Sequence, residues 1–239
     1  MYWASRRCFH FICVSQNTKK DLLNIFPKID PKKITVIYEA AEDKFNNFLK
    51  LSKKDQSKKI EKIQKQYGLK NFILAQGTRE PRKNLDRLIE AFILFKKDHP
   101  KNKTELAITG KYGWGEDVKS KHPNVKVLGF IPEKDMVALH ASALVLAYTS
   151  LYEGFGLPLI KSFKTATPVI TSNNSSLAEI AKNSALLVNP RSVQDISKAI
   201  EKIVRYPKLR KKLVDKAIEK SKSFTWTKTA QQTLKIYNC

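Results

Sequence analysis

Residues 149–179, TSLYEGFGLPLIKSFKTATPVITSNNSSLAE, are the most informative part of the chain. Ahead of it, Ala143-Leu144-Val145-Leu146-Ala147-Tyr148 is an apolar run of strand length. Gly154 and Gly156 then bracket Phe155 where the pattern turns helical. A strand therefore runs through a glycine-bearing turn into a helix N-terminus, with the carboxylate of Glu153 in the turn. In an open parallel sheet, ligands bind outside the carboxyl ends of the strands, where free backbone N–H groups and the positive end of a helix dipole face an anion.

On either side of it, short apolar runs alternate with amphipathic segments, the pattern of repeated β-α units on a parallel sheet. The strand candidates are Asn71 to Gln76, Glu105 to Thr109, Val125 to Leu128, Leu144 to Tyr148, Pro168 to Thr171 and Ala185 to Val188. Leu85, Leu88, Ile89, Phe92 and Phe95 recur at helical spacing, with Asp86 placed to complement the helix dipole. Met136, Val137, Leu139 and His140 mark a shorter helix after Pro132. Fold class is thus α/β, a Rossmann-like parallel sheet flanked by helices, expected over residues 71–205. Before it, residues 1–45 hold one β-α-β unit, with strands at Phe9 to Val14 and Ile34 to Ile37 around a polar helix start at Ser15 to Thr18. Residues 46–70 read as a Lys-rich linker becoming helical. Residues 192–237 read as three helices, the last two filling 206–239, with Trp226, Ala230, Leu234 and Tyr237 on one face.

The chain of 239 residues carries 45 basic and 22 acidic residues, a formal charge of +23. The surplus concentrates before residue 70 and after residue 190, away from the motif-bearing middle. A solvated Lys-rich surface is the main expectation, with a peripheral contact to an anionic membrane as the charge-driven alternative. Nucleic acid is not expected as a partner, and such a role would show as salt-sensitive binding indifferent to Glu153 and Lys83. Cys8, Cys13 and Cys239 have neither metal-ligand spacing nor a disulfide framework, which fits a reduced, cytoplasmic protein. No apolar run approaches the ~18 residues of a membrane span, and the N-terminus lacks a signal-peptide layout.

Glu153-Gly154-Phe155-Gly156-Leu157-Pro158, Pro168-Val169-Ile170 and Ser175-Ser176-Leu177-Ala178-Glu179-Ile180 together resemble the C-terminal half of family 4 retaining glycosyltransferases of the GT-B fold. Further segments match in order. Gly77-Thr78-Arg79-Glu80-Pro81-Arg82-Lys83-Asn84 resembles the family's basic phosphate-binding loop, and Leu106-Ala107-Ile108-Thr109-Gly110-Lys111 its next strand and turn. Val125 to Pro132 and Ser223-Phe224-Thr225-Trp226 complete the series, so that the likeness covers roughly residues 8–237.

The resemblance implies a hexosyltransferase, a mannosyltransferase among the options, that uses a GDP- or UDP-hexose donor and a glycan or lipid-linked acceptor. Glu153 would bond the donor sugar's hydroxyls, Arg79, Arg82 and Lys83 would neutralise the diphosphate, and the backbone of Gly154, Phe155, Gly156 and Leu157 would hold sugar or phosphate oxygens. Gly77, Gly110 and Lys111 belong to the same nucleotide-sugar site. Arg offers forked hydrogen bonds to phosphate and Lys a compact charge. No Asp-any-Asp pair or His cluster suggests a metal, and the basic side chains take its electrostatic role. In the resembled fold the reaction lies between two Rossmann-like domains, and this chain reads as starting in the last piece of the first. Activity is then expected to need an N-terminal domain, on a separate polypeptide or a longer chain.

Three positions depart from the family. Where a second Glu accepts both ribose hydroxyls, eight residues after Glu153, this chain has Lys161. Lysine has three donors and no acceptor, so the expected loss in nucleotide affinity is about 1–3 kcal/mol. Ala166 replaces a common glycine, and Tyr38-Glu39-Ala40-Ala41-Glu42 lacks an expected Asn-Gly. A non-catalytic remnant or regulatory nucleotide-sugar-binding module is therefore the competing expectation. His10, His99, His122 and His140 read as surface or packing residues, as do Trp3, Trp114 and Trp226, while Gly113-Trp114-Gly115 reads as a mobile loop near the sugar.

Overall fold

The computed structural model describes residues 7–115 and 120–238. Trp3 and Cys239 lie outside them. A β-α-β unit opens the chain, with β1 (Phe11–Cys13) and β2 (Ile34–Val36) pairing in parallel, Phe11 opposite Ile34, around α1 (Gln16–Ile25). Ser15 starts α1 by accepting a hydrogen bond from the Thr18 N–H. Both strands are shorter than their apolar runs, and Phe9 is left exposed.

Two helices follow, α2 (Asp43–Phe48) and α3 (Lys53–Tyr67), the second capped by the Ser52 side chain and ended by Gly68 at φ 63°. The main sheet comprises β3 (Phe72–Gln76), β4 (Glu105–Thr109), β5 (Val125–Gly129), β6 (Val145–Tyr148), β7 (Val169–Ser172) and β8 (Leu186–Val188). All pairings are parallel, in the order β5-β4-β3-β6-β7-β8. Each strand thus falls within a residue or so of its apolar run. Order reverses between β3 and β6, and the crevice at their carboxyl ends is the topological switch point.

Side chains alternate along a strand, so each strand serves two cores. Phe72 and Leu74 face one side, where α2, α3, α5 (Glu133–Ser142), α6 (Leu157–Lys164) and α7 (Ser175–Ala181) pack through Phe45, Ile63, Leu139, Leu159, Phe163 and Ile180. Ile73 and Ala75 face the other, against α4 (Leu85–Asp98) and α8 (Val193–Arg205), which lie side by side and contribute Leu88, Phe92, Phe95, Ile196 and Ile200. The 46–70 stretch is mostly helix and feeds Ile63 and Leu69 into the first core, which also takes Ala40 and Ala41. Ala217 of α9 (Pro207–Ser221) and Phe224 join it from the C-terminal side. The final helix, α10 (Trp226–Tyr237), keeps Trp226, Leu234 and Tyr237 exposed. Among the described residues no helix is long and apolar enough to cross a membrane.

Two sequence features acquire a physical reason here. His140 is fully buried and links β3 to α6, Nε2 lying 2.6 Å from Gln76 Oε1 and Nδ1 2.8 Å from Ser162 Oγ. Burial, aided by the nearby Lys161 charge, drops its pKa to about 3, so it stays a neutral strut at physiological pH. Ala166 sits at φ 58°, the left-handed region that suits glycine and strains an L side chain by roughly 1–2 kcal/mol. Ala166→Gly relieves that strain but loosens the unfolded chain by about 0.4–1 kcal/mol. The expected net is a gain of up to about 1.6 kcal/mol, read as a higher thermal midpoint by calorimetry; a lower midpoint would contradict it.

Candidate donor site at the sheet switch point

The loop after β3 and the loop after β6 meet over one carboxylate. Glu153 is 8% exposed, and three donors converge on it. Its Oε1 lies 2.7 Å from Lys83 Nζ and 2.8 Å from the Tyr148 hydroxyl, and its Oε2 lies 2.7 Å from Arg82 Nη1. Lys83 also reaches the Tyr148 hydroxyl at 2.8 Å. Burial pushes the Glu153 carboxyl up, but the Lys83 charge and its hydrogen bonds outweigh that and hold it below the usual range. Burial, seconded by the Glu153 charge, drives the Tyr148 phenol well above its ordinary range. The carboxylate is therefore ionised and the phenol neutral.

Local sequence explains the placement. Pro81–Lys83 form a short 3-10 turn ended by Asn84 at φ 59°, which aims Arg82 and Lys83 back over the sheet. Asn84 is buried and holds that turn down by donating to the carbonyls of Thr149, 3.0 Å, and Pro190, 2.7 Å. Gly77 is where the Lys83 stem passes, since a Cβ there would stand 3.2 Å from it. Gly110 lets the ends of β3 and β4 approach closely, because its Cβ would fall 1.8 Å from the Gly77 carbonyl oxygen. Across the crevice, Gly156 at φ 112° ends the turn and begins α6. No acceptor among the described residues meets the N–H groups of Phe155, Gly156 and Leu157, which leaves a helix N-terminus open to an anion.

Of the residues singled out from the sequence, Arg82, Lys83 and Glu153 come together, with Gly77 and the Gly154–Leu157 turn around them. Gly154 touches the N-terminal unit, its carbonyl accepting from the Thr18 hydroxyl at 3.1 Å. The Phe155 ring is buried against Tyr38 and Phe224, so only its backbone faces the site. The Arg79 backbone pairs with the Lys111–Gly113 segment, and the Lys111 ammonium lies 4.8 Å from the centre of the Phe130 ring. Lys161 goes elsewhere. Its ammonium is 3.2 Å from Glu42, 3.7 Å from Glu133 and 5.0 Å from the centre of the Phe45 ring. Tyr148, Asn84 and Glu80 join the site without a motif that marks them; for Tyr148 the signal in the sequence is a hydroxyl-bearing residue closing an otherwise apolar strand.

With this geometry in view, the family is plain. Residues 55–220 match the glycosyl transferases group 1 family, and the chain belongs to it. It is 30% identical over 179 residues to O-antigen chain mannosyltransferase B of Escherichia coli, covering 72% of this chain and 47% of that one. It is 28% identical over 208 residues to O-antigen chain mannosyltransferase RfbU of Salmonella typhimurium, covering 84% and 53%. The chain spans about half the length of these relatives. Among solved structures, Anabaena Alr3699/HepE in complex with UDP and glucose superposes with a TM-score of 0.83 at 20% identity, over 99% of this chain and 65% of that one. The fold is that of the C-terminal Rossmann-like domain of GT-B glycosyltransferases.

A buried carboxylate that loses its counter-charge is costly, of order 3–5 kcal/mol for a fully buried pair. Lys83→Met leaves Arg82 in place, so the expected loss is about 3 kcal/mol in denaturant titration, most of it recovered by adding Glu153→Gln. The parent keeps the benefit of the ionised pair at neutral pH and loses it as pH falls through the depressed Glu153 pKa. In Lys83→Met burial is no longer outweighed and the Glu153 pKa rises, so this acid-dependent loss shrinks and the stability gap between parent and variant narrows as pH falls. Equal pH profiles for parent and variant would contradict the pairing.

Proposed function

We propose that this chain supplies the donor-binding half of a retaining, family 4-like hexosyltransferase, moving a hexose such as mannose from a GDP- or UDP-sugar to a glycan or lipid-linked acceptor. The observation that carries this reading is the Lys83–Tyr148–Glu153–Arg82 cluster at the switch point, set against the unpaired N–H groups that open α6. As the bond from the anomeric carbon to the diphosphate lengthens, negative charge grows on the leaving oxygens. Lys83, Arg82 and the α6 N-terminus are fixed positive groups placed to stabilise it, with little reorganisation at the moment of reaction. Glu153, kept ionised, accepts hydrogen bonds from sugar hydroxyls and favours positive character at the anomeric carbon. In this reading the two basic side chains take the role a divalent cation has elsewhere, and the acceptor and the far wall of the cleft belong to a second Rossmann-like domain. The reaction is placed in the cytoplasm, with peripheral contact at the inner membrane face through the Lys-rich surface.

One observation favours a binding module without turnover. Lys161 is tied to Glu42 and Glu133, so α6 offers no carboxylate to a ribose diol. Calorimetric titration with UDP, GDP and their hexose conjugates tests both readings. Binding by the parent, weakened at least tenfold by Glu153→Ala, is expected; a silent parent and silent variants would remove the donor-site reading. Binding without transfer, when a GT-B N-terminal domain and acceptor are supplied, would favour the module.

Restoring the family's glutamate alone is expected to fail. Lys161→Glu would set a third carboxylate beside Glu42 and Glu133, and like charges at that range repel. The expected outcome is a lower thermal midpoint for Lys161→Glu and recovery in Lys161→Glu/Glu42→Lys. An unchanged midpoint in the single variant would contradict the pairing.

A further inference from the structure

The loop after β3 does not stand alone against the donor site. The segment after β4, residues 110–115, is seated on it, with Arg79 bridged to Tyr112 and Gly113 donating its N–H to the Arg79 carbonyl at 3.1 Å. A Cβ at Gly113 would fall 2.6 Å from the Thr78 methyl, and one at Gly115 would fall 3.0 Å from Pro81. Those glycines let the two loops interlock. Glu80 sits at the join, its side chain only 13% exposed. One oxygen accepts from Arg82 Nη2 at 2.5 Å, and the other accepts from the Trp114 indole N–H at 3.1 Å. Trp114 itself is 61% exposed, so this hydrogen bond, not burial, fixes its ring.

Arg82 is thereby taken at both ends. Nη1 serves Glu153 and the Tyr152 carbonyl, while Nη2 serves Glu80. A diphosphate binds a guanidinium through two parallel N–H groups. Here the Nη2 side of that fork carries a carboxylate. The two cations Arg82 and Lys83 are also formally balanced by Glu153 and Glu80, so an approaching dianion meets a neutralised seat.

We infer that Glu80 is a resident anion on the fork of Arg82, displaced when a nucleoside diphosphate binds, and that its displacement frees Trp114 and the 110–115 segment. Glu80 is then a positioning residue that sets donor affinity without touching the donor. The inference rests on the donor-site reading above. Because Arg82 is about two-fifths exposed, solvent screens the competition and the effect is modest.

The experiment is titration of the parent, Glu80→Gln and Glu80→Asp with UDP and GDP, followed by calorimetry and by tryptophan emission, with Trp114→Phe to assign the signal. Glu80→Gln keeps the side-chain shape and removes the charge. It is expected to bind the preferred nucleotide five- to tenfold more tightly than the parent; because its amide oxygen can still accept from the Trp114 indole N–H, the emission arm uses Glu80→Ala, whose ligand-free emission should already match that of the liganded parent. Glu80→Asp should fall between parent and Glu80→Gln in affinity. A residue that merely stabilised the loop would give weaker or unchanged binding and an emission response like the parent's, and either result overturns the inference. Binding by the parent that Glu80→Gln leaves unaltered overturns this inference alone, whereas silence from parent and variants toward both nucleotides overturns the donor-site reading with it.

Discussion

A carboxylate removed from water must be answered by positive charge, and the requirement at Glu153 organises the whole centre of the molecule. The carboxylate and its two cations stand on two loops that are far apart in sequence and adjacent only because the sheet reverses its order between β3 and β6. The parallel sheet brings the loops to one crevice, and the ion pairs fix their spacing. Asn84 serves the same end from below, joining the carbonyls of Thr149 and Pro190 to the turn that carries Arg82 and Lys83. Glu153 and its two cations are thus held in place before any ligand arrives, which is the condition for stabilising charge that develops only during reaction.

Most of the fold was legible in the sequence, because a parallel sheet with helices on both faces demands strands apolar on both sides, and these are short, dense runs. Phe72 to Gln76 and Glu105 to Thr109 announce themselves in that way. The helices were legible where an apolar stripe met a capping residue, as at Ser15, or a stripe such as Leu88, Phe92 and Phe95. What pattern could not show was membership of a core across long sequence distances. Residues 46–70 look like a linker because lysines crowd them, yet Ile63 and Leu69 are buried in the first core. Composition reports the solvent face of such a helix, and the core face is a minority of its residues.

The site divides along the same line. Glu153, Lys83 and Arg82 stand in motifs and could be read from them. Tyr148 and Glu80 act through partners that only the folded chain supplies. Lys161 is the sharpest case: as a lone substitution it looks like lost chemistry, whereas the structure shows it inside a charge set with Glu42, Glu133 and Lys44. A carboxylate at position 42 and an ammonium at position 161 make sense only together. Reading either alone assigns it a role in ligand binding that its neighbours do not support.

Glu179 carries a consequence of another kind. Its two carboxylate oxygens accept from the backbone N–H groups of Gln16 and Asn17, each at 3.1 Å, and one also accepts from the Tyr38 hydroxyl at 2.7 Å. The side chain thus plugs the start of α1 from a helix 162 residues beyond Asn17, where a negative group also complements the helix dipole. Mechanically, this makes α7 a bracket, and the small β-α-β unit is pinned to the large sheet at the end of α1 nearest the site. Rocking of that unit about its strands is resisted there and at the Thr18–Gly154 contact, so a pull on α1 is delivered both to α7 and to the turn that bears Glu153.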